Sequence, residues 1–311
     1  MSEILVTLAR IYGITLLGYI AVKAQWFDKR STEGLLKFVY HFSLPPLLFQ
    51  SLSQAKLPDS LPLDLLGSYY LGAFSVLIAG WLLSRFIFSH LPSERIVVGF
   101  SGSFSNTVLL GIPIILYVCG EEGGVPLFML ISVHGLIMFS MLSLSLEFSS
   151  NQSQTYKTNL WWSLKSVGKN PIIWGIATGI LFNQFGLNVP KPLDQAFSML
   201  SQTAIPCSLF SLGALLAGYK IAGNLRLSMT AVALKNLLHP LVVWFLAEQF
   251  FSMPPLWVKV AVLLAAMPTG VSVLLFAHRY EQAVEIASTS IFLSTVFSMV
   301  SITGILLILG N

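Results

Sequence analysis

An apolar run over residues 96–119 is interrupted near its middle by Ser105-Asn106-Thr107, by Gly111 and by Pro113. A run that long crosses a bilayer as one helix, yet an amide, hydroxyls, a glycine and a proline at its centre oppose an unbroken one. A second apolar run, 258–277, carries Pro268-Thr269-Gly270-Val271-Ser272 at its own middle. Backbone groups freed inside a bilayer persist only where protein, water or a ligand satisfies them. Two spans interrupted at corresponding places in the halves of a chain therefore point to the binding site of a transporter.

Composition decides the solvent. Of 311 residues, 55% are hydrophobic and only 10% charged. Such a chain cannot bury its apolar surface internally and still present a polar exterior to water, so lipid surrounds most of it. The net charge of +4 does not indicate nucleic acid, because the basic residues sit in short loops and not along one face. Cys119 and Cys207 lie in or beside apolar runs without a CxxC or Cys/His partner, which makes them core residues and offers no metal site. No cofactor motif is present. The opening Met1-Ser2-Glu3 has no basic segment, and the first apolar stretch reads as a retained helix.

Spans of membrane length fall at residues 4–22, 35–52, 63–88, 96–119 and 125–148, then at 171–187, 197–219, 225–251, 258–277 and 286–309. The halves echo each other. Pro45 and Pro206, Trp81 and Trp244, and Asn106 and Pro268 lie 161, 163 and 162 residues apart, which favours a duplication. The expected organisation is a first five-helix repeat over 1–148, a cytoplasmic linker over 149–168 and a second repeat over 169–311. Only Lys56, Lys191 and Lys259 lie on the side opposite twelve lysines and arginines in or near the alternate loops, which assigns those twelve to the cytoplasm. Both termini are then extracytoplasmic. Five helices per repeat make the second copy enter from the opposite side, so the repeats are inverted and the broken fourth and ninth spans meet. The fold class is an all-α, multi-pass membrane protein of ten transmembrane helices in the plasma membrane.

Half-helices starting at the breaks aim amides and positive dipole ends inward, which suits an anion. Asn106 adds two donors and an acceptor, and Thr107, Thr269 and Ser272 add hydroxyls. With Gly111, Pro113, Pro268 and Gly270 they form the candidate substrate site. No aspartate or glutamate lies in either break, which disfavours an acid-rich cation site there. The bland alternative is that the prolines only kink packed helices; clustered polar side chains argue against it.

Asn106-Thr107-Val108-Leu109-Leu110-Gly111-Ile112-Pro113, with the stretch from Met267 to Tyr280, resembles the fourth and ninth helices of the auxin efflux carrier family. Pro45-Pro46-Leu47-Leu48-Phe49 and Asn170-Pro171 extend the likeness along the chain. That family contains plant PIN proteins and bacterial malonate or malate carriers. The resemblance implies inverted repeats, export or exchange of organic monoanions or dicarboxylates, elevator-type alternating access and a homodimer. It also implies a scaffold of helices one, two, six and seven. Ser105 and Val273 stand where PIN proteins carry prolines, and Ser68 stands near the position of a lysine.

Other polar residues within spans are functional candidates because they are costly in lipid. Lys235 and His239 are four apart and share a helix face, so they could add positive potential to an anion path; snorkelling, or pairing of Lys235 with a carbonyl or with Glu248, is the structural alternative. Arg10, His41 and His134 read more simply as structural. Three other classes stay open at this point. A sodium- or proton-coupled symporter of the bile-acid type shares the architecture; a channel would carry currents; an intramembrane enzyme lacks HExxH, GxSxG and paired carboxylates here.

Overall fold

The computed structural model describes residues 2–58, 60–88, 91–150 and 168–309. Among the described residues all regular secondary structure is helical, apart from one isolated antiparallel bridge. Ten helices follow in chain order: α1 (Ser2–Lys23), α2 (29–53), α3 (Leu63–Phe88), α4, α5 (Gly124–Ser150), α6 (Pro171–Gln184), α7 (Lys191–Ala217), α8 (Leu225–Phe250), α9 and α10 (Val284–Leu309). Two of them are split. α4 consists of α4a (Pro92–Ser103) and α4b (Thr107–Cys119), and α9 of α9a (Pro255–Ala266) and α9b (Ser272–Arg279).

Among the described residues, five helices have the length and apolarity to cross a bilayer: residues Leu63–Phe86, Glu121–Leu142, Lys191–Ala217, Leu225–Phe250 and Val284–Leu309. The short apolar pieces Thr107–Cys119 and Pro255–Ala266 are the two halves that flank the breaks. The expected linker over 149–168 falls almost wholly outside the described residues, since α5 continues to Ser150 and description resumes at Gly168.

Prolines shape the helices in a regular way. Wide turns with i→i+5 hydrogen bonds occur at Val39–Ser43, Thr107–Gly111 and Leu234–Leu238, one or two residues before Pro45, Pro113 and Pro240. A proline ring collides with the preceding turn and supplies no N–H, and one extra residue in that turn makes room for both defects. Pro113 therefore does not break α4, contrary to the sequence expectation. The chain leaves the helix at residues 104–106, and Pro113 lies in the first turn of the α-helical part that follows. In α9 the proline is at the break itself, because Met267, Pro268, Thr269 and Gly270 are all non-helical.

Small residues let two helix pairs approach closely. A Cβ on Gly18 of α1 would collide with the Phe210 carbonyl of α7, and one on Gly213 of α7 with the Thr15 carbonyl of α1. On α6, a Cβ at Gly175 would lie 2.7 Å from the Pro45 carbonyl oxygen of α2, and one at Gly179 would lie 2.9 Å from that of Phe49. Such contacts are how helices associate where lipid removes the hydrophobic drive. A side-chain amide finishes one end: Asn183 Nδ2 of α6 lies within hydrogen-bonding distance of the carbonyls of Leu52, Ser53 and Ala55, sharing its two N–H groups among them at the C-terminus of α2.

Candidate functional site

The two interruptions cross each other. Asn106 N–H donates to the Pro268 carbonyl at 2.8 Å and Gly270 N–H to the Phe104 carbonyl at 2.8 Å, pairing Ser105 with Thr269 in an antiparallel bridge. Backbone groups released by each break are thus satisfied by the other, which is what a lipid-embedded break requires. Gly270 is needed for the approach, since a Cβ there would lie 2.6 Å from a ring carbon of Phe104 and 3.0 Å from the Ser105 carbonyl oxygen. Thr269 is fully buried; its hydroxyl donates to the Ser101 carbonyl at 2.6 Å, and its N–H donates to Ser294 Oγ of α10 at 3.0 Å.

Beside the crossing lies a cavity of about 310 Å³. From the breaks it is lined by Phe104, Ser105, Asn106, Thr107, Val108, Gly270, Val271 and Ser272, so the first residues of both half-helices face it. From α2 and α6 it receives Tyr40, Asn170, Ile172 and Ile173; from α5, Ile131, His134, Gly135, Leu136 and Phe139. The Phe104 ring stacks on Phe139 and meets His134 edge-on, forming one wall.

Asn106 is the hinge of the geometry. Its Oδ1 accepts from Leu109 N–H at 3.2 Å and caps α4b, while its Nδ2 is buried without a partner. A buried amide that keeps two unspent N–H groups at a cavity is costly unless something fills that place. Of the residues expected at the site, Asn106, Thr107, Gly270 and Ser272 line the cavity. Pro268 and Thr269 hold the crossing together behind it. Gly111 sits against α9a, where a Cβ would be 2.9 Å from Leu264 Cδ1, and Pro113 is buried away from the cavity.

Lys235 and His239 come together on α8, with Lys235 Nζ 2.7 Å from His239 Nδ1, but neither lines the cavity. Both are fully buried. Nζ also donates to Ser105 Oγ at 2.6 Å and to the Ala265 carbonyl at 2.6 Å, so the lysine joins α8 to both interrupted helices and does not pair with Glu248. Of the remaining polar residues, Arg10 Nη1 donates to Tyr117 Oη at 2.6 Å, and His41 bonds the Lys37 carbonyl from an exposed position. Cys119 and Cys207 are free thiols.

Three contributors escaped the sequence. Ser105 is legible in the sequence as part of the interruption but not as a site residue, although it lines the cavity and receives Lys235 and, at 3.1 Å, the Tyr69 hydroxyl of α3. Tyr69 is an ordinary aromatic in an apolar span, and no spacing marks it. His134 was readable only as a lone histidine, yet it forms part of the cavity wall.

Apolar membrane-length helices, interrupted twice where polar groups converge on a cavity, define an integral, multi-pass membrane protein with an internal polar site. The chain belongs to the membrane transport protein family, whose model matches residues 3–306. It is 23% identical over 311 residues to a Rhizobium meliloti protein named "Putative malonate transporter", covering all of this chain and 97% of that one. Auxin efflux carrier component 8 of Arabidopsis thaliana is 24% identical, with 93% of this chain and 92% of that one covered. An uncharacterized transporter of Methanothermobacter thermautotrophicus is 26% identical, with 95% of both chains covered. The auxin efflux carrier resemblance read from the two interrupted helices therefore holds over the whole chain, and the chain is a membrane transporter by family.

Proposed function

We propose that the protein is a secondary carrier of small organic anions and that the crossing of α4 and α9 is its binding site. The observation that carries this reading is the buried, unpartnered Nδ2 of Asn106 at a cavity that Ser105, Thr107 and Ser272 also line, each with a hydroxyl. All of these are donors, and no aspartate or glutamate lines the cavity among the described residues. A carboxylate accepts only, and it matches a set of donors that carries no fixed charge.

The walls narrow the substrate. Phe104, Ile131, Leu136, Phe139, Ile173 and Leu275 surround the donors with apolar surface, and 310 Å³ lies at the small end of ligand cavities. The reading is a monocarboxylate with an apolar body; a compact dicarboxylate such as malonate is the competing outcome, given the relative that bears that name.

The movement proposed is an elevator in which α1, α2, α6 and α7 are the fixed scaffold. Its support is reciprocal packing: α1 packs most closely on α7 and α6 on α2, the exchange of partners that inverted repeats produce. The cavity lies between α2 and α6 on one side and the broken helices with α5 on the other, so a bound anion would ride at the sliding boundary. Residence in the plasma membrane with extracytoplasmic termini and assembly as a homodimer belong to the same proposal. The test is uptake of labelled phenylacetate and malonate into proteoliposomes, with and without sodium and at two pH values. Saturable uptake of either anion supports the carrier, an absolute sodium requirement selects the symporter alternative, and no uptake of any carboxylate contradicts it.

A further inference from the structure

The donors at the crossing are neutral, while a lysine lies one residue behind them. Lys235 Nζ meets three acceptors, Ser105 Oγ, the Ala265 carbonyl and His239 Nδ1, which together use the three N–H groups of an ammonium. None of the three is an acid. The wide turn over Leu234–Leu238 lies where Lys235 and His239 meet, and the Ala265 carbonyl belongs to the last turn before the second break.

Resting on the carboxylate reading above, we propose that Lys235 is the counter-charge of the transported anion and acts on it through the Ser105 hydroxyl, as a positioning residue. Ser105 Oγ accepts from Lys235 Nζ at 2.6 Å and from Tyr69 Oη at 3.1 Å. Two donors occupy its two lone pairs, so its own O–H is left to donate to a third group. Ser105 lines the cavity next to Asn106, whose Nδ2 is likewise unspent. A hydroxyl that accepts from an ammonium is polarised into a stronger donor, and strongest toward an acceptor of negative charge. The arrangement gives the site the field of a cation without a direct ion pair, which in a low dielectric would hold the substrate against release. It also sets specificity: a carboxylate offers only acceptors to Ser105 and Asn106, whereas an isosteric amide turns an NH2 toward one of them.

The test is calorimetric titration of the purified full chain with phenylacetate, phenylacetamide and malonate. The wild type is expected to bind an acid more tightly than the amide. Lys235→Met and Ser105→Ala should each weaken binding of the acid by about tenfold or more, weaken the amide by much less, and fail to add in the double variant. Ser105→Ala leaves Lys235 its bonds to Ala265 and His239, so it reports even where Lys235→Met does not fold. Wild-type affinity for the acid in Ser105→Ala, or equal loss of acid and amide, overturns the relay and leaves the carboxylate site standing. Failure of the wild type to bind either acid removes the site reading itself, and the relay with it.

Discussion

Asn106 serves two ends with one side chain. Its oxygen caps α4b through Leu109 N–H and its nitrogen stays free at the cavity, so substitutions separate the two roles. Asn106→Ala loses both; it should cost about 1 kcal/mol of stability, the usual worth of such a cap, and abolish carboxylate binding. Asn106→Asp keeps the cap but turns a negative oxygen toward the anion. It should fail to bind as well, with the unfolding midpoint unmoved by phenylacetate, as followed by thermal unfolding with and without that anion. Normal affinity in either variant would show that the site lies elsewhere. Gly270→Ala drives a methyl into the Phe104 ring and the Ser105 carbonyl, and should destabilise by about 1–3 kcal/mol through overpacking, read as a lowered midpoint in a denaturant or thermal titration. At this scale the sequence was informative where polar residues stood out against an apolar background, as at Asn106 and Lys235. It was silent on Tyr69, whose role depends on which face of α3 turns toward Ser105.

At the scale of elements, the interruptions were legible because proline, glycine and amides inside a membrane-length run conflict with continuous helix. Their internal form was not. Pro113 marked α4 as irregular but sits past the break, because a wide turn absorbs the proline while the chain leaves the helix earlier, where its amides can pair with the other break. Sequence periodicity cannot foresee that partner. The ends of helices obey ordinary capping. Asp28 caps α2 by accepting from Ser31 N–H at 2.7 Å, and hydrogen bonding from Ser31 holds its carboxyl below the usual range. A carboxyl lowered in the folded state stabilises above its unfolded value, and that contribution disappears as pH falls through the folded value. The protection of the Ser31 N–H against hydrogen exchange, measured relative to its intrinsic rate at each pH, should therefore fall on acidification, and Asp28→Asn, which caps without titrating, should make that protection insensitive to pH.

For the whole molecule, the account separates a scaffold from a unit that slides past it. The close glycine contacts of α1 with α7 and of α6 with α2 are inside the proposed scaffold, as is the 2.7 Å contact between Ser43 Oγ of α2 and Thr203 Oγ1 of α7. A disulfide between Ser43→Cys and Thr203→Cys, in a background lacking Cys119 and Cys207, should leave proteoliposome uptake within about twofold of the reduced protein, given the short separation. Loss of uptake on oxidation, restored by reductant, would mean that α2 and α7 move relative to each other. Membrane residence and the pairing of the two interrupted spans were legible from composition and from landmarks near one spacing. The cavity walls were not, because apart from Asn170 the residues that α5 and α6 contribute belong to no motif.

The central claim is that unspent donors at the crossing hold a carboxylate. An experimental structure of the protein with phenylacetate or malonate bound tests it most directly. The account predicts carboxylate oxygens within hydrogen-bonding distance of Asn106 Nδ2 and Ser105 Oγ, with Lys235 still bonded to Ser105. A carboxylate seated away from the crossing, or one paired directly with Lys235 after displacing Ser105, would contradict it.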